Sequence, residues 1–466
     1  MLTSRTAPLL AESLANAPAT DWLRWVGDDR GAASRPMVEA IAVLPVPDHE
    51  VAFVLVSTEA PDGGRRFRQL LVALDDDPAL PDGSVIVAPR DGAATAVRAL
   101  ALAPVRRWLH DALLAGITIR AGAWEWQGTP EARGGAGVTA GGAESRWVHA
   151  HDVELARSAH TTLVVPVRAD AELGVELELL RRLASHDGPR LVPLPQASAR
   201  WVGPDGTRLP SVVLHDLPDA ATALAARLGD RIRGALDGDT EAFEGGLTDA
   251  RALGVLAREL HAALGRPVAE GAGAVAMPAS RRDVEAWTLE AGDALDALDR
   301  VAQGAAHPAQ PVIATLRAHL PAIAAAAGRD PGLVHRIHGA FSVDTVCVLP
   351  DGTLRVVAFV APPTAGRPSP WHDVASLVAS LTTLAGNVAA QLGGDTAHRD
   401  AAWRWEREAR RAALDGYGTG GGAAHALVAL FEIPLVARAM ARRLRESPGT
   451  AFIAVHALER LAKVAI

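Results

Sequence analysis

The stretch HGAFSVDTVCVLPDGTLRVVAFVAPPTAGRPSPWHDVASLVASLTTL, residues 338–384, decides the fold. Its centre reads as a β-hairpin. Thr345–Leu349 and Leu354–Val360 are rich in β-branched residues, and Pro350-Asp351-Gly352 between them is a turn signal. A loop headed by His338-Gly339 precedes the hairpin, and helical spacing over His372–Leu384 follows it. The surroundings are helical. From Asp216 onward the apolar residues fall at three- and four-residue intervals, as in Leu253, Leu256, Leu260 and Leu264, which share one helix face.

Working outward to the first half, the pattern changes to short strands. Met37–Pro45, Val51–Thr58, Arg66–Leu74 and Val85–Ala88 read as strands, punctuated by Pro61-Asp62-Gly63-Gly64 and Pro81-Asp82-Gly83. Ala96–Leu114 switches to helical spacing. Gly134–Gly142 (GGAGVTAGG) reads as a loop or linker, since no strand leads into it and no helix bearing Lys-Ser/Thr follows. Thr161–Val167 predicts a strand interrupted by Pro166, Glu172–Ala184 a helix, and Leu191–Leu194 and Ser211–Leu214 further strands around Pro204-Asp205-Gly206. Strands early and helices late predict an α+β protein with segregated layers.

Composition narrows the partners. The chain has 466 residues, enough for two or three domains, and a net charge of -8 with 49% hydrophobic and 21% charged residues. That acidic balance argues against nucleic acid and anionic membranes, which attract basic surfaces, and favours small molecules or proteins. The single cysteine, Cys347, rules out a disulfide within the chain and thiolate metal clusters. It fits a reducing compartment, so a cytoplasmic location is expected. Met1–Thr20 lacks the basic and apolar regions of a secretory signal. The longest apolar run, Ala423–Met440, is broken by Glu432, Pro434 and Arg438, so no membrane span is expected. Lys463 is the only lysine, so a phosphate-holding ammonium is available only at the far C-terminal end.

Other chemical constellations are thin. His335 with His338, and His149 with His151 and Asp152, fit neither a zincin pair nor a third ligand at a recognisable distance. There is no G-x-S-x-G and no G-x-G-x-x-G after a strand. Eleven tryptophans stand against one tyrosine. Tryptophan faces stack on sugars, which makes Trp371, Trp403 and Trp405 candidates for saccharide contact, with core packing as the competing role.

Several stretches together carry a family likeness. Asp21-Trp22-Leu23 is followed by Arg24-Trp25, Leu253–Leu264 reads LGVLARELHAAL, and His338–Thr345 reads HGAFSVDT ahead of the hairpin. Ala358–Pro363 (AFVAPP), Ser369–Ala375 (SPWHDVA), and Trp403, Trp405 and Gly416-Tyr417 complete the set. In this order they resemble the actinobacterial maltokinase family, relatives of aminoglycoside phosphotransferases with an added N-terminal cap. The resemblance implies a protein-kinase-like bilobal α+β fold: a β-rich cap over residues 1–100, an N-lobe over 101–215 and a helical C-lobe over 216–466.

The flanks match the family and the centre departs from it. The family's catalytic loop is H-G-D-L-H-L-G-Q and its metal loop D-F-E-G-E-P. In this register the aspartate that serves the acceptor hydroxyl falls on Ala340, the magnesium-holding amide on Thr345 and the metal-loop aspartate on Ala358. The N-lobe lysine, counted back from the helix glutamate Glu178, falls on Val164, with Arg168 the nearest cation. Magnesium needs carboxylates beside the phosphates, and phosphoryl transfer depends on that neutralisation and on an oriented nucleophile. The resemblance therefore implies a pseudokinase with no metal and no cofactor. Such a chain would bind a saccharide or partner enzymes of trehalose, maltose and glycogen metabolism. His338 and Asp373 would brace the loop. The alternative is an active ATP- and magnesium-dependent kinase of maltose or an amino sugar, with Asp344 as fallback carboxylate and Arg168 near the phosphates. A third reading is an architectural role in which the cap docks a partner.

Overall fold

In the computed structural model the described residues are 37–59, 65–75, 85–87, 95–130, 146–150, 153–157, 161–166, 183, 191–193, 195–217, 221–266, 276–304, 307, 309–357 and 367–463. The chain divides into two compact units, Met1–Ser185 with Pro193–Ala221, and His186–Val192 with Thr222–Ile466.

The first unit is built on two antiparallel sheets. One contains β1 (Met37–Leu44), β2 (Glu50–Glu59), β3 (Arg65–Asp75), β4 (Val85–Val87) and β5 (Thr95–Arg98), in the order β1-β2-β3-β5-β4. Helix α1 (Ala103–Leu114) follows. The second sheet contains β6 (Thr118–Ala121), β7 (Trp124–Pro130), β8 (Arg146–Ala150), β9 (Val153–Arg157), β10 (Thr162–Pro166), β11 (Pro195–Val202) and β12 (Arg208–His215), in the order β6-β7-β11-β12-β10-β9-β8. Both sheets and α1 share one apolar core, in which Phe53 stacks on Trp126 at 5.6 Å and meets Trp201 edge-on at 6.5 Å. Four polar side chains in that core are paired with one another. Trp126 donates to Ser211 Oγ (2.8 Å), Ser211 Oγ to Gln69 Oε1 (2.8 Å) and Trp201 to the same Gln69 oxygen (3.2 Å).

Two expectations about the first half of the chain are corrected. Ala96–Arg98 is not helical: β5 pairs with β3, setting Leu74 opposite Ala96 and Val72 opposite Arg98, and the helix begins only after Leu102, with Pro104 in its first turn. Leu191–Leu194 does not form a strand over Leu191–Pro193. The strand is Pro195–Val202, and the Leu191 carbonyl instead accepts from Val356 N at 2.9 Å. The helix expected over Glu172–Ala184 lies outside the described residues apart from Leu183, which is helical. The glycine-rich run 134–142 and the Asp21–Trp25 motif also lie outside them.

The second unit is helical apart from short strand pairs. β13 (Thr222–Ala223) leads into α2 (Leu224–Leu236) and α3 (Thr240–Leu264), and β14 (Met277–Pro278) into α4 (Arg281–Gly304) and α5 (Gln310–Ala327). After β15 (Leu333–Val334) come β16 (Val346–Val348) and β17 (Leu354–Val356), then α6 (Pro370–Gln391), α7 (Thr396–Tyr417), α8 (Gly422–Glu446) and α9 (Ala451–Ala462). The hairpin read from sequence is β16–β17, with Cys347 opposite Arg355, and β13 adds to its other edge. Helix α3 starts where Asp239 accepts from the amides of Glu241 and Ala242, and it buries Leu253, Leu256, Leu260 and Leu264. Helices α6 and α8 have the length and composition of membrane spans, but most of each apolar window (61% and 72%) is buried inside the protein, as in core helices.

Helices α3 and α7 cross almost backbone to backbone. A Cβ added at Gly254 would stand 2.0 Å from the Ala413 carbonyl oxygen, and one at Gly416 would stand 2.2 Å from that of Arg251. Neither helix backbone can give way cheaply. Gly254→Ala is expected to cost about 1–3 kcal/mol or more by overpacking, read as a lower urea midpoint. A second expectation concerns the first unit. His215 is buried, and desolvation lowers its pKa to about 4 despite a hydrogen bond with the Pro193 backbone. The unfolded chain therefore takes up the proton first, so stability should fall as pH drops from about 6.5 towards 4, by on the order of 3 kcal/mol. His215→Gln should flatten that slope in urea titrations across the same range.

Candidate functional site

The loop between β15 and the hairpin is held from behind by one carboxylate. Ser369 caps α6 by accepting from Trp371 N (3.4 Å), Pro370 occupies its first turn, and Asp373 follows within that turn. Asp373 is fully buried. Its Oδ2 accepts from His338 N (2.7 Å), and its Oδ1 accepts from Gly339 N (2.8 Å) and Phe341 N (3.5 Å). The remaining amide, that of Ala340, donates to His338 Nδ1 (3.3 Å). Every amide from 338 to 341 is thereby accounted for, and none of these bonds uses the side chain at 340. Gly339 lies at φ +99°, a left-handed conformation that a residue with a side chain adopts only under strain.

A second line of polar atoms lies behind Asp373. His261 Nε2, from α3, is 3.0 Å from Asp373 Oδ2, and His261 Nδ1 is 3.0 Å from the hydroxyl of Tyr417 at the end of α7. Burial by itself would raise the Asp373 pKa. The His261 hydrogen bond and the nearby His261, His338 and His372 outweigh it and hold the carboxyl at about 2. Burial, reinforced by the Asp373 charge, pushes the Tyr417 phenol well above its ordinary value, so it keeps its proton. Burial also lowers His372. In sequence, His261 and Tyr417 stand within motifs that give neither residue a role. A polar histidine at the buried end of an otherwise leucine face was the available signal.

The other candidate residues take up varied positions. Ala340 is half-buried in the braced loop. Thr345 is occupied locally: its hydroxyl accepts from Ser342 N and donates to the Ser342 carbonyl, both at 3.0 Å, closing a capping box around the turn Val343–Thr345. Asp344 is exposed in that same turn. Val164 sits in β10 opposite Leu155 and Val213. Ala358, Arg168 and Glu178 lie outside the described residues. In sequence, the segment 356–366 carries no ionisable side chain at all. Among the described residues, no group of three or more His, Cys, Asp or Glu side chains is arranged to hold a metal ion.

The three tryptophans are not gathered in one place. Trp371 is half-buried and meets Tyr417 edge-on at 5.5 Å, close to the His261–Asp373 line. Trp405 is fully buried, its indole nitrogen packed against Gly246, where an added Cβ would stand 2.8 Å away. Its place is in the core. Trp403 is half-buried, with His456 stacked on its ring at 3.9 Å and an interplanar angle of 5°. Beside it lies an ion cluster: Arg410 grips Glu432 through two bonds of 2.9 Å, and Arg460 donates to the same carboxylate at 2.6 Å. Burial opposes the Glu432 charge, but Arg410 and Arg460 prevail and keep its pKa at about 2. This cluster ties α7, α8 and α9 together.

The energetic importance of Asp373 is measurable. Asp373→Ala strands three buried amides and His261, and is expected to cost about 3–5 kcal/mol in chemical denaturation. Because the native carboxyl is held at about 2 against an ordinary value of 3.8, the unfolded chain binds the proton first. The Asp373 contribution should be complete above pH 4 or so and lost as pH falls towards about 2, a slope absent from Asp373→Asn.

No protein-family model and no curated protein matches the chain. Solved structures do match. Glucosamine kinase in complex with glucosamine, ADP and inorganic phosphate is 20% identical, with 97% of this chain and 98% of that chain covered and a TM-score of 0.56. Crystal form A of glucosamine kinase is 20% identical, with 99% of each chain covered and the same TM-score of 0.56. The likeness spans both chains nearly end to end and establishes the fold: an α+β, kinase-like architecture with a helical C-terminal region.

Proposed function

We propose that this chain is a phosphotransfer-silent member of the sugar-kinase-like fold, with a motif order that resembles that of the maltokinases, and that it binds rather than phosphorylates. One observation carries the reading. The loop 338–341 is fully braced by Asp373 and His338, yet its side chain at 340 is a methyl group. An alanine there can neither orient a hydroxyl nor approach a magnesium ion. General-base assistance alone is worth about 10²–10⁴-fold, and loss of the metal carboxylate compounds it. The threonine at 345 spends its hydroxyl on the capping box, and segment 356–366 offers magnesium no acidic oxygen. The ligand under this reading is a saccharide, or an enzyme of trehalose, maltose or glycogen metabolism. No nucleotide or metal is called for.

A second reading draws on the exposure of Asp344 one turn beyond the loop. There the chain would be an active ATP-dependent kinase of an amino sugar or maltose with a displaced carboxylate. Calorimetric titration with ATP-magnesium, glucosamine and maltose, beside an ADP-release assay over a sugar panel, separates the two. The silent reading expects no metal-dependent ATP binding and no sugar-dependent ADP release. Turnover that disappears in Asp344→Asn would overturn it in favour of the active kinase.

A further inference from the structure

The contact between α3 and α7 assembles a relay that neither helix could make alone. Tyr417, the chain's only tyrosine, stands one residue beyond Gly416, at the close crossing with Arg251. His261 lies two helical turns beyond Gly254, the other contact point. The crossing brings the Tyr417 hydroxyl to 3.0 Å from His261 Nδ1, with the His261 and Tyr417 rings edge to face at 5.6 Å. From His261 the line continues 3.0 Å to Asp373 Oδ2, the same oxygen that takes the His338 amide.

We infer that Tyr417 is the positioning residue of the 338–341 loop: its hydroxyl donates to His261 Nδ1, which fixes the imidazole as the Nε2–H tautomer and aims that proton at Asp373. The direction of each bond follows from the donor inventory. An ionised carboxylate only accepts, so His261 Nε2 must carry the hydrogen. A phenol that keeps its proton can supply one to Nδ1, and burial of Tyr417 favours that form. Asp373 then accepts one side-chain hydrogen and three loop amides, with its two oxygens fully employed. Without the tyrosine, the ring could turn and the carboxylate would lose the donor that sets its orientation. The inference goes beyond the proposed function and does not depend on it, since a braced loop serves an active or a silent site equally.

The test uses the full chain labelled with nitrogen-15. Long-range nitrogen–proton spectra report the tautomer of each histidine, and His261 is assigned by difference against His261→Gln. The inference expects a protonated Nε2 and an acceptor Nδ1 whose resonance moves in Tyr417→Phe. Hydrogen exchange of the His338, Gly339 and Phe341 amides should quicken about tenfold in Tyr417→Phe, the scale of one lost hydrogen bond, while the helical core amides hold their rates. In His261→Gln the amide of Gln can still donate to Asp373, so loop protection should be partly restored relative to His261→Ala. A doubly protonated or Nδ1–H imidazole, an Nδ1 signal unmoved by Tyr417→Phe, or a uniform rise in exchange across α6–α8 would each overturn it.

Discussion

A carboxylate without solvent contact is costly unless its oxygens are saturated, and Asp373 meets that condition with three backbone amides and one imidazole. The loop 338–341 therefore takes its shape from the backbone and from α6 behind it. The side chain at 340 contributes nothing to that support, since only its backbone amide is engaged. The side chain at 340 can therefore vary without the loop collapsing. The loop's stability resides in its backbone and in Asp373.

The rest of the helical unit serves to place α6 and its neighbours. Thr382, on α6, donates to Glu406 on α7 at 2.6 Å, and Gly386, also on α6, gives Ile453 of α9 room to pack. Glu432 with Arg410 and Arg460 then binds α7, α8 and α9 into one block. The glycines at 254 and 416 fix how closely α3 approaches α7, and this closeness sets the His261–Tyr417 distance. A packing constraint between two helices thus becomes a hydrogen-bonding constraint on a loop two contacts away.

Much of this was legible in the sequence. The hairpin and α6 could be read because Pro350-Asp351-Gly352 and Ser369-Pro370 are local signals, whose chemistry acts within a few residues. Pro195–Val202 was not, because Pro, Gln, Ser and Ala are poor strand formers and the segment is held by its neighbours β7 and β12. Ala96–Arg98 misled because a short strand runs directly into a helix and the apolar spacing blurs the junction. In the candidate site, Asp373 and His338 were visible as motif residues. The pairing of His261 with Tyr417 spans 156 residues, and no periodicity records a contact of that kind. Trp405 shows the reverse: an aromatic that reads as ligand-facing by composition belongs to the core because Gly246 opposes it.

The most direct measurement is phosphorus-31 NMR of ATP-magnesium mixed with stoichiometric protein and excess glucosamine or maltose, followed over hours so that even a single turnover per molecule is seen. The account predicts that the three ATP resonances persist and that no sugar phosphate grows in. A sugar-phosphate resonance rising to the molar amount of protein, and absent without magnesium, would contradict it.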